Sequence, residues 1–222
     1  MSGTILKDAL QCIGGLKKTS TPKRERCFLL SRDVRRIIKV ASEHDDMLTA
    51  ALMAVSRMFL LRVPSEGIPL EWDGQHSKVE VSRMRATITL MRRKNRESPS
   101  VLERSCCCKS STPELCGVHW LHKMKAAVRH GRVFDCSVNV FISNVRFYVQ
   151  MAGIVNAEQI TTHAFRRGMA QDIVNSGGTL TTLLKAGDWH SKAFFKYLRE
   201  SHVQDQAIAE LVVMASDSED EK

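Results

Sequence analysis

The chain has 222 residues, 43% hydrophobic and 26% charged, which suits one large domain, or a domain plus a fragment, with a sizeable core. No apolar run is long enough to cross a bilayer and no secretory h-region opens the sequence, so membrane partners are excluded and the expected setting is intracellular. Formal net charge is +9; the tail SDSEDEK (216–222) carries −3, so the remainder stands at +12, which fits a polyanion partner such as nucleic acid and equally a basic surface without a specific ligand.

In chain order, ILKDALQCIGG within residues 1–15 can form a short helix closed by Gly14-Gly15. KKTSTPKRER (17–26) follows as a basic linker. Lys23 and Arg24 in it are candidates for lying on a phosphate backbone, and the run also fits a nuclear-import signal. The main domain is expected from 27 to 215. SRDVRRIIKVASEH starts at Ser31, a good N-cap, and repeats apolar residues at 34, 37, 38 and 40. A second helix is expected over about 45–60. RVPSEGIPLEW (62–72) ends it, because Pro64, Gly67 and Pro69 cannot continue a helix.

Over 78–104 the period changes to two. KVEVS and ATITL alternate and are β-branched, so they read as strands, with a third near SVLERSC and the basic turn RRKNRESP (92–99) before it. A Cys-rich loop (106–119) leads into helices expected over 119–129, 137–152, 162–176, 179–186 and 191–214. Gly153, Gly177-Gly178 and Gly187 stand where C-caps are expected. The acidic tail 216–222 reads as disordered. The fold class is therefore mainly α with a small antiparallel β-sheet, α+β.

The stretch THAFRRGMAQDIVNSGGTLTTLLKAGDWHSKAFFKYLRE (162–200) sets His163, Arg166, Trp189, His190 and Tyr197 among apolar repeats. His163 and Arg166 share one helix face, and Thr162 as N-cap puts them at a helix start, where N–H groups and the dipole favour an anion such as phosphate. The chain has only two tyrosines. Tyr148, in a helix backed by Phe141 and Val145, reads as core.

This order of residues resembles the C-terminal half of the tyrosine recombinases, the phage-integrase family. AGDWHSKAFFKYLRE is similar to the Cre-type version, with Trp in place of a more common His. The resemblance spans about 24–205 and is strongest over 160–200. It implies the recombinase catalytic-domain fold, double-stranded DNA as partner, a tetramer on DNA, no required cofactor, origin in a mobile element, and a nuclear address in a eukaryotic host. It also implies roles. Arg62 in FLLRVPSEGIPLEW pairs with Arg166 on the scissile phosphate; Arg57 is the nearby alternative, and Pro64 looks like a one-residue insertion in that segment. Lys94, in the predicted β-turn, is the general acid. His163 assists, Tyr197 is the nucleophile, and Trp189 or the adjacent His190 gives a further phosphate contact. Arg92, Arg93, Arg96 and Arg167 are expected at the DNA backbone. Residues 1–26 would hold the last helix of an N-terminal DNA clamp plus a linker.

The chemistry needs these residue types. A phenol oxygen attacking phosphorus in line builds negative charge on the non-bridging oxygens. Two guanidiniums grip those oxygens bidentately and stay charged. Losing one such donor costs about 3–4 kcal/mol. A Lys protonates the leaving 5′ oxygen, and the 3′-phosphotyrosine keeps the bond energy for resealing. Two other readings stand beside a recombinase or integrase: a relaxing enzyme resembling type IB topoisomerases, and a domesticated or truncated DNA-binding module without turnover.

Seven cysteines, an odd number without a secretory signal, read as reduced thiols. Cys106, Cys108, Cys116 and His119 make C-x-C-x₇-C-x₂-H, four candidate ligands for a structural zinc, with Cys107 and His122 as spares. The family does not generally carry such a site.

Overall fold

The computed structural model of the chain describes residues 27–93, 98–109, 113–189 and 198. The expected helices over 1–15 and 191–214, the linker with Lys23 and Arg24, and the acidic tail lie outside them.

Helix α1 (Ser31–Glu43) buries Val34, Ile37, Ile38 and Ala41, the stripe its period predicts. Ser31 is not its N-cap. Leu30 holds that position, and the Ser31 N–H and Oγ donate to Asp172 Oδ2 at 2.8 and 3.0 Å. Helix α2 (Met47–Met58) is capped by the Asp46 side chain, which accepts from the Thr49 N–H at 2.9 Å. Every residue from Thr49 to Arg57 is buried, so α2 is the central helix of the core.

Past α2 the backbone turns through Leu60 at φ 52°, a left-handed conformation that is strained for Leu by about 1–3 kcal/mol. Val63–Gly67 then forms a π turn: the N–H groups of Gly67 and Ile68 donate to the Arg62 and Val63 carbonyls at 3.0 and 2.9 Å. A π turn houses one residue more than an α turn. Pro64 lies within it.

Strands β1 (Ser77–Ser82), β2 (Arg85–Leu90) and β3 (Ser100–Ser105) form an antiparallel sheet in the order β1-β2-β3. Ser82 pairs with Arg85 and Leu90 with Ser100. The alternation sends Val79, Ala86, Ile88, Leu90 and Leu102 to the core.

Helices α3 (Gly117–Ala127), α4 (Val138–Met151), α5 (Ala164–Asn175) and α6 (Leu180–Gly187) complete the described fold. Helix α3 starts two residues earlier than expected, because the Cys116 sulfur caps it by accepting the His119 N–H at 3.4 Å. At the start of α5, His163 rather than Thr162 occupies the cap position, with no side-chain cap bond. Gly153 and Gly177 take positive φ as expected for C-caps. Gly187 does not; the left-handed residue there is Asp188, at φ 50°.

Helix α5 docks on α2 and α1. Its Gly168 is required by close approach: a Cβ there would fall 1.8 Å from the Leu29 carbonyl oxygen. The architecture is mainly helical with a small antiparallel sheet. No helix among the described residues is long and apolar enough to cross a membrane.

Candidate active site

The buried carboxylate of Glu66 is the hub. The π turn swings it back onto Arg62: Glu66 Oε2 accepts the Arg62 backbone N–H at 2.8 Å and Oε1 accepts Arg62 Nη1 at 2.5 Å. Arg93 donates to both oxygens, Nε to Oε1 and Nη2 to Oε2, each at 3.1 Å. Arg166 Nη1 lies 3.5 Å from Oε2. One carboxylate thus gathers three guanidiniums from α2's exit, the sheet's tip and α5. Burial pushes the Glu66 carboxyl up, but the Arg93 hydrogen bond and charge, the Arg62 N–H and the Arg166 charge outweigh it, and the net direction is down.

Arg166 is 1% exposed. Its Nη1 donates to the Leu60 carbonyl and its Nη2 to the Gly187 carbonyl at 3.2 Å. The left-handed turn at Leu60 aims that carbonyl inward. The Trp189 ring covers the same guanidinium, with the centroid 4.8 Å from Cζ. Trp189 is seated by the end of α6. Arg93 Nη1 donates to Gly187 O at 3.2 Å and Arg104 Nη2 to Ala186 O at 2.6 Å. Cations thus meet carbonyls at the negative pole of a helix. Asp188 accepts Arg93 Nη1 at 3.3 Å and the Ser100 hydroxyl, tying the loop before Trp189 to the sheet. A Cβ on Gly187 would lie 2.3 Å from the indole ring, so the ring needs glycine there.

His163 is half-buried at the start of α5. Burial, then the charges of Arg167, Arg166 and Arg62, lower its pKa. This favours the neutral imidazole, which carries one N–H and one lone pair. Arg62 is the more accessible arginine of the Glu66 hub, its side chain 23% exposed.

Arg57, the alternative to Arg62, stands apart from this group. Its guanidinium pairs with Asp172, donates to the Ser31 hydroxyl at 2.6 Å and points at the Met169 sulfur, holding α1, α2 and α5 together. Arg93, expected at an exposed tip against DNA, is instead buried, its side chain 3% exposed. The chain turns inward after β2, and Glu66 and Asp188 supply two carboxylates to receive it. Arg92 next to it is exposed and lines a cleft with Ser65, Glu66 and His76. Arg167 is half-buried. Tyr148 is core, with its hydroxyl donating to Asp46 Oδ2 at 3.0 Å and its pKa pushed up to about 12 by burial and that bond. Lys94, Arg96, His190 and Tyr197 lie outside the described residues. Leu198, next in sequence to Tyr197, is buried in one cluster with Leu60, Ala170, Leu183 and Trp189.

Sequence reasoning missed Glu66, Asp188 and Arg104. Glu66 left one signal, its place four residues after Arg62 in a segment broken by proline. Asp188 and Arg104 left none, because their partners are distant in the chain.

Away from this group, the sulfurs of Cys106, Cys108 and Cys116 lie within 4.8 Å of one another, an arrangement that could hold a metal ion. The expected fourth ligand, His119, is not among them; its ring meets Trp120 edge-on, centroids 6.3 Å apart. His122 is engaged with the Ser82 carbonyl at 2.7 Å.

No family model matches the chain, and no curated protein matches it. Among solved structures it is similar to the crystal structure of XerA recombinase, with 15% identity and a TM-score of 0.51. The match covers 86% of this chain and 66% of that one. At this identity the likeness shows a shared fold.

Proposed function

We propose that this chain cleaves and rejoins DNA strands through a 3′-phosphotyrosine on Tyr197, as a site-specific recombinase or integrase acting on double-stranded DNA in a tetramer. The observation that carries the reading is that Arg62 and Arg166 share the Glu66 carboxylate, Trp189 covers Arg166, and His163 lies within the field of both arginines. These are the residues that the recombinase resemblance assigns to a scissile phosphate, and they come from segments about a hundred residues apart in sequence. The fold shared with XerA recombinase points the same way, as does the +12 charge outside the tail.

In this mechanism Arg62 and Arg166 hold the non-bridging oxygens, and Glu66 keeps both guanidiniums aligned. The neutral His163 accepts the phenol proton as the Tyr197 oxygen bonds to phosphorus. The bond from phosphorus to the 5′ oxygen breaks, and Lys94 gives that oxygen a proton. Attack by a second 5′-hydroxyl reverses these steps and reseals the strand.

One observation favours the reading as a DNA-binding module without turnover: Arg166 is fully covered, its Nη1 and Nη2 donating to two backbone carbonyls and its face roofed by Trp189. Cleavage requires Trp189 to lift or shift so that a phosphate reaches the guanidinium. A nicked suicide duplex separates the two readings. The unsubstituted protein is expected to form a covalent protein–DNA band and Tyr197→Phe none. Absence of a band from both supports the binding module, and a band from both rejects Tyr197 as nucleophile.

A further inference from the structure

We propose that Cys106, Cys108 and Cys116 form a structural zinc site that fastens the end of the sheet to the start of α3, independently of the DNA chemistry above. Cys106 and Cys116 sulfurs are 3.7 Å apart. That is too far for a disulfide, whose sulfurs lie about 2.05 Å apart. It fits two corners of a tetrahedral zinc site: with Zn–S near 2.3 Å, neighbouring sulfurs stand about 3.8 Å apart. The third thiol, Cys108, falls in the same 4.8 Å group.

The Cys116 sulfur has the surroundings of a thiolate ligand. It is buried, and two backbone N–H groups point at it, from Cys107 at 3.5 Å and His119 at 3.4 Å. Donors of this kind stabilise sulfur-centred negative charge without competing for the metal-facing lone pairs. Softness of the donors selects zinc over magnesium or calcium. The three thiols supply three of its four corners.

Position gives the site a purpose. Cys106 follows directly on β3, whose Arg104 donates to the Met58 carbonyl at 3.1 Å and to Ala186. Cys116 caps α3, and the next residue, Gly117, donates its N–H to the Met58 sulfur at 3.1 Å. Met58 ends α2, two residues before the Leu60 carbonyl that holds Arg166. A metal here would lock three elements behind the arginine cluster. Binding takes one Zn²⁺, releases one proton from each thiol, and involves no redox change.

The reduced full-length protein, freed of metal by a chelator and titrated with Zn²⁺, is expected to bind one zinc per chain by native mass spectrometry. Iodoacetamide mapping of the same protein should show zinc protecting Cys106, Cys108 and Cys116 while leaving Cys27 and Cys136 reactive. Cys116→Ser and the pair Cys106→Ser/Cys108→Ser should each weaken zinc binding at least 100-fold, and Cys136→Ser should not. Equal alkylation of the three thiols with and without zinc, or undiminished zinc uptake by the triple serine variant, would overturn the proposal. The alkylation arm needs no substitution, so it stands even if a variant misfolds, and neither readout involves DNA cleavage.

Discussion

Glu66 shows how a single side chain organises a positively charged centre. Arg62, Arg93 and Arg166 repel one another, and only a carboxylate among them makes their proximity affordable. Glu66→Gln keeps the shape and removes the charge, leaving Asp188 alone to balance the buried guanidiniums of Arg93 and Arg166. Breaking a buried pair in this way costs about 3–5 kcal/mol, to be read by urea denaturation. The lowered carboxyl pKa gives the sign of the pH dependence. The stabilisation is fully present above the unfolded carboxylate value, near 4.3, and is lost as pH falls through the lower folded value. Glu66→Gln should abolish that part of the acid transition. His163 behaves alike in sign. Its folded pKa is depressed, so the unfolded chain takes the proton more readily, and stability falls as pH drops below about 6.5 toward the folded value. His163→Gln should flatten denaturation curves compared between pH 7 and pH 5.

At the scale of elements, two glycines set how helices meet. Gly168→Ala puts a methyl 1.8 Å from the Leu29 carbonyl, which cannot yield without moving backbone. The segment before α1, held by the Leu29 N–H on the Ala164 carbonyl at 3.2 Å, must then shift off α5. The expected loss is about 3 kcal/mol, the upper part of the overpacking range, seen as a lower Tm. Gly187→Ala acts elsewhere. The new methyl collides with the Trp189 ring, not with backbone, so the ring moves and the fold is retained. Displacing a group that covers Arg166 by about 1 Å should change covalent-adduct formation about 100-fold, with little change in Tm. The π turn is the third device. It contains Pro64 and returns Glu66 to Arg62, four residues back, and to Arg93, just past β2.

At the scale of the molecule, excess positive charge predicts salt-sensitive DNA binding. Arg92 is exposed, whereas Arg93 is locked inside. Arg92→Ala should therefore reduce the slope of log K against log salt by about 0.9, the value of one phosphate contact, in a titration on duplex DNA. Arg93→Ala should act mainly through stability. A slope unchanged by Arg92→Ala would remove that residue from the DNA interface.

The sequence by itself determined the fold class and the sheet. Alternating β-branched residues over 78–104 and apolar residues three and four apart elsewhere are local patterns that burial enforces directly. It also pointed to Arg62, His163, Arg166 and Trp189, because these sit in segments with recognisable order. Only the tertiary structure joined Arg62 to Glu66 and Arg57 to Asp172, put Arg93 inside, and drew Glu66 and Asp188 into the centre. It also left His119 outside the thiol cluster. The physical reason is the same for each: an arginine reads alike in sequence whether it faces water or a carboxylate. Its partner is chosen by which distant segments the core brings within about 3 Å.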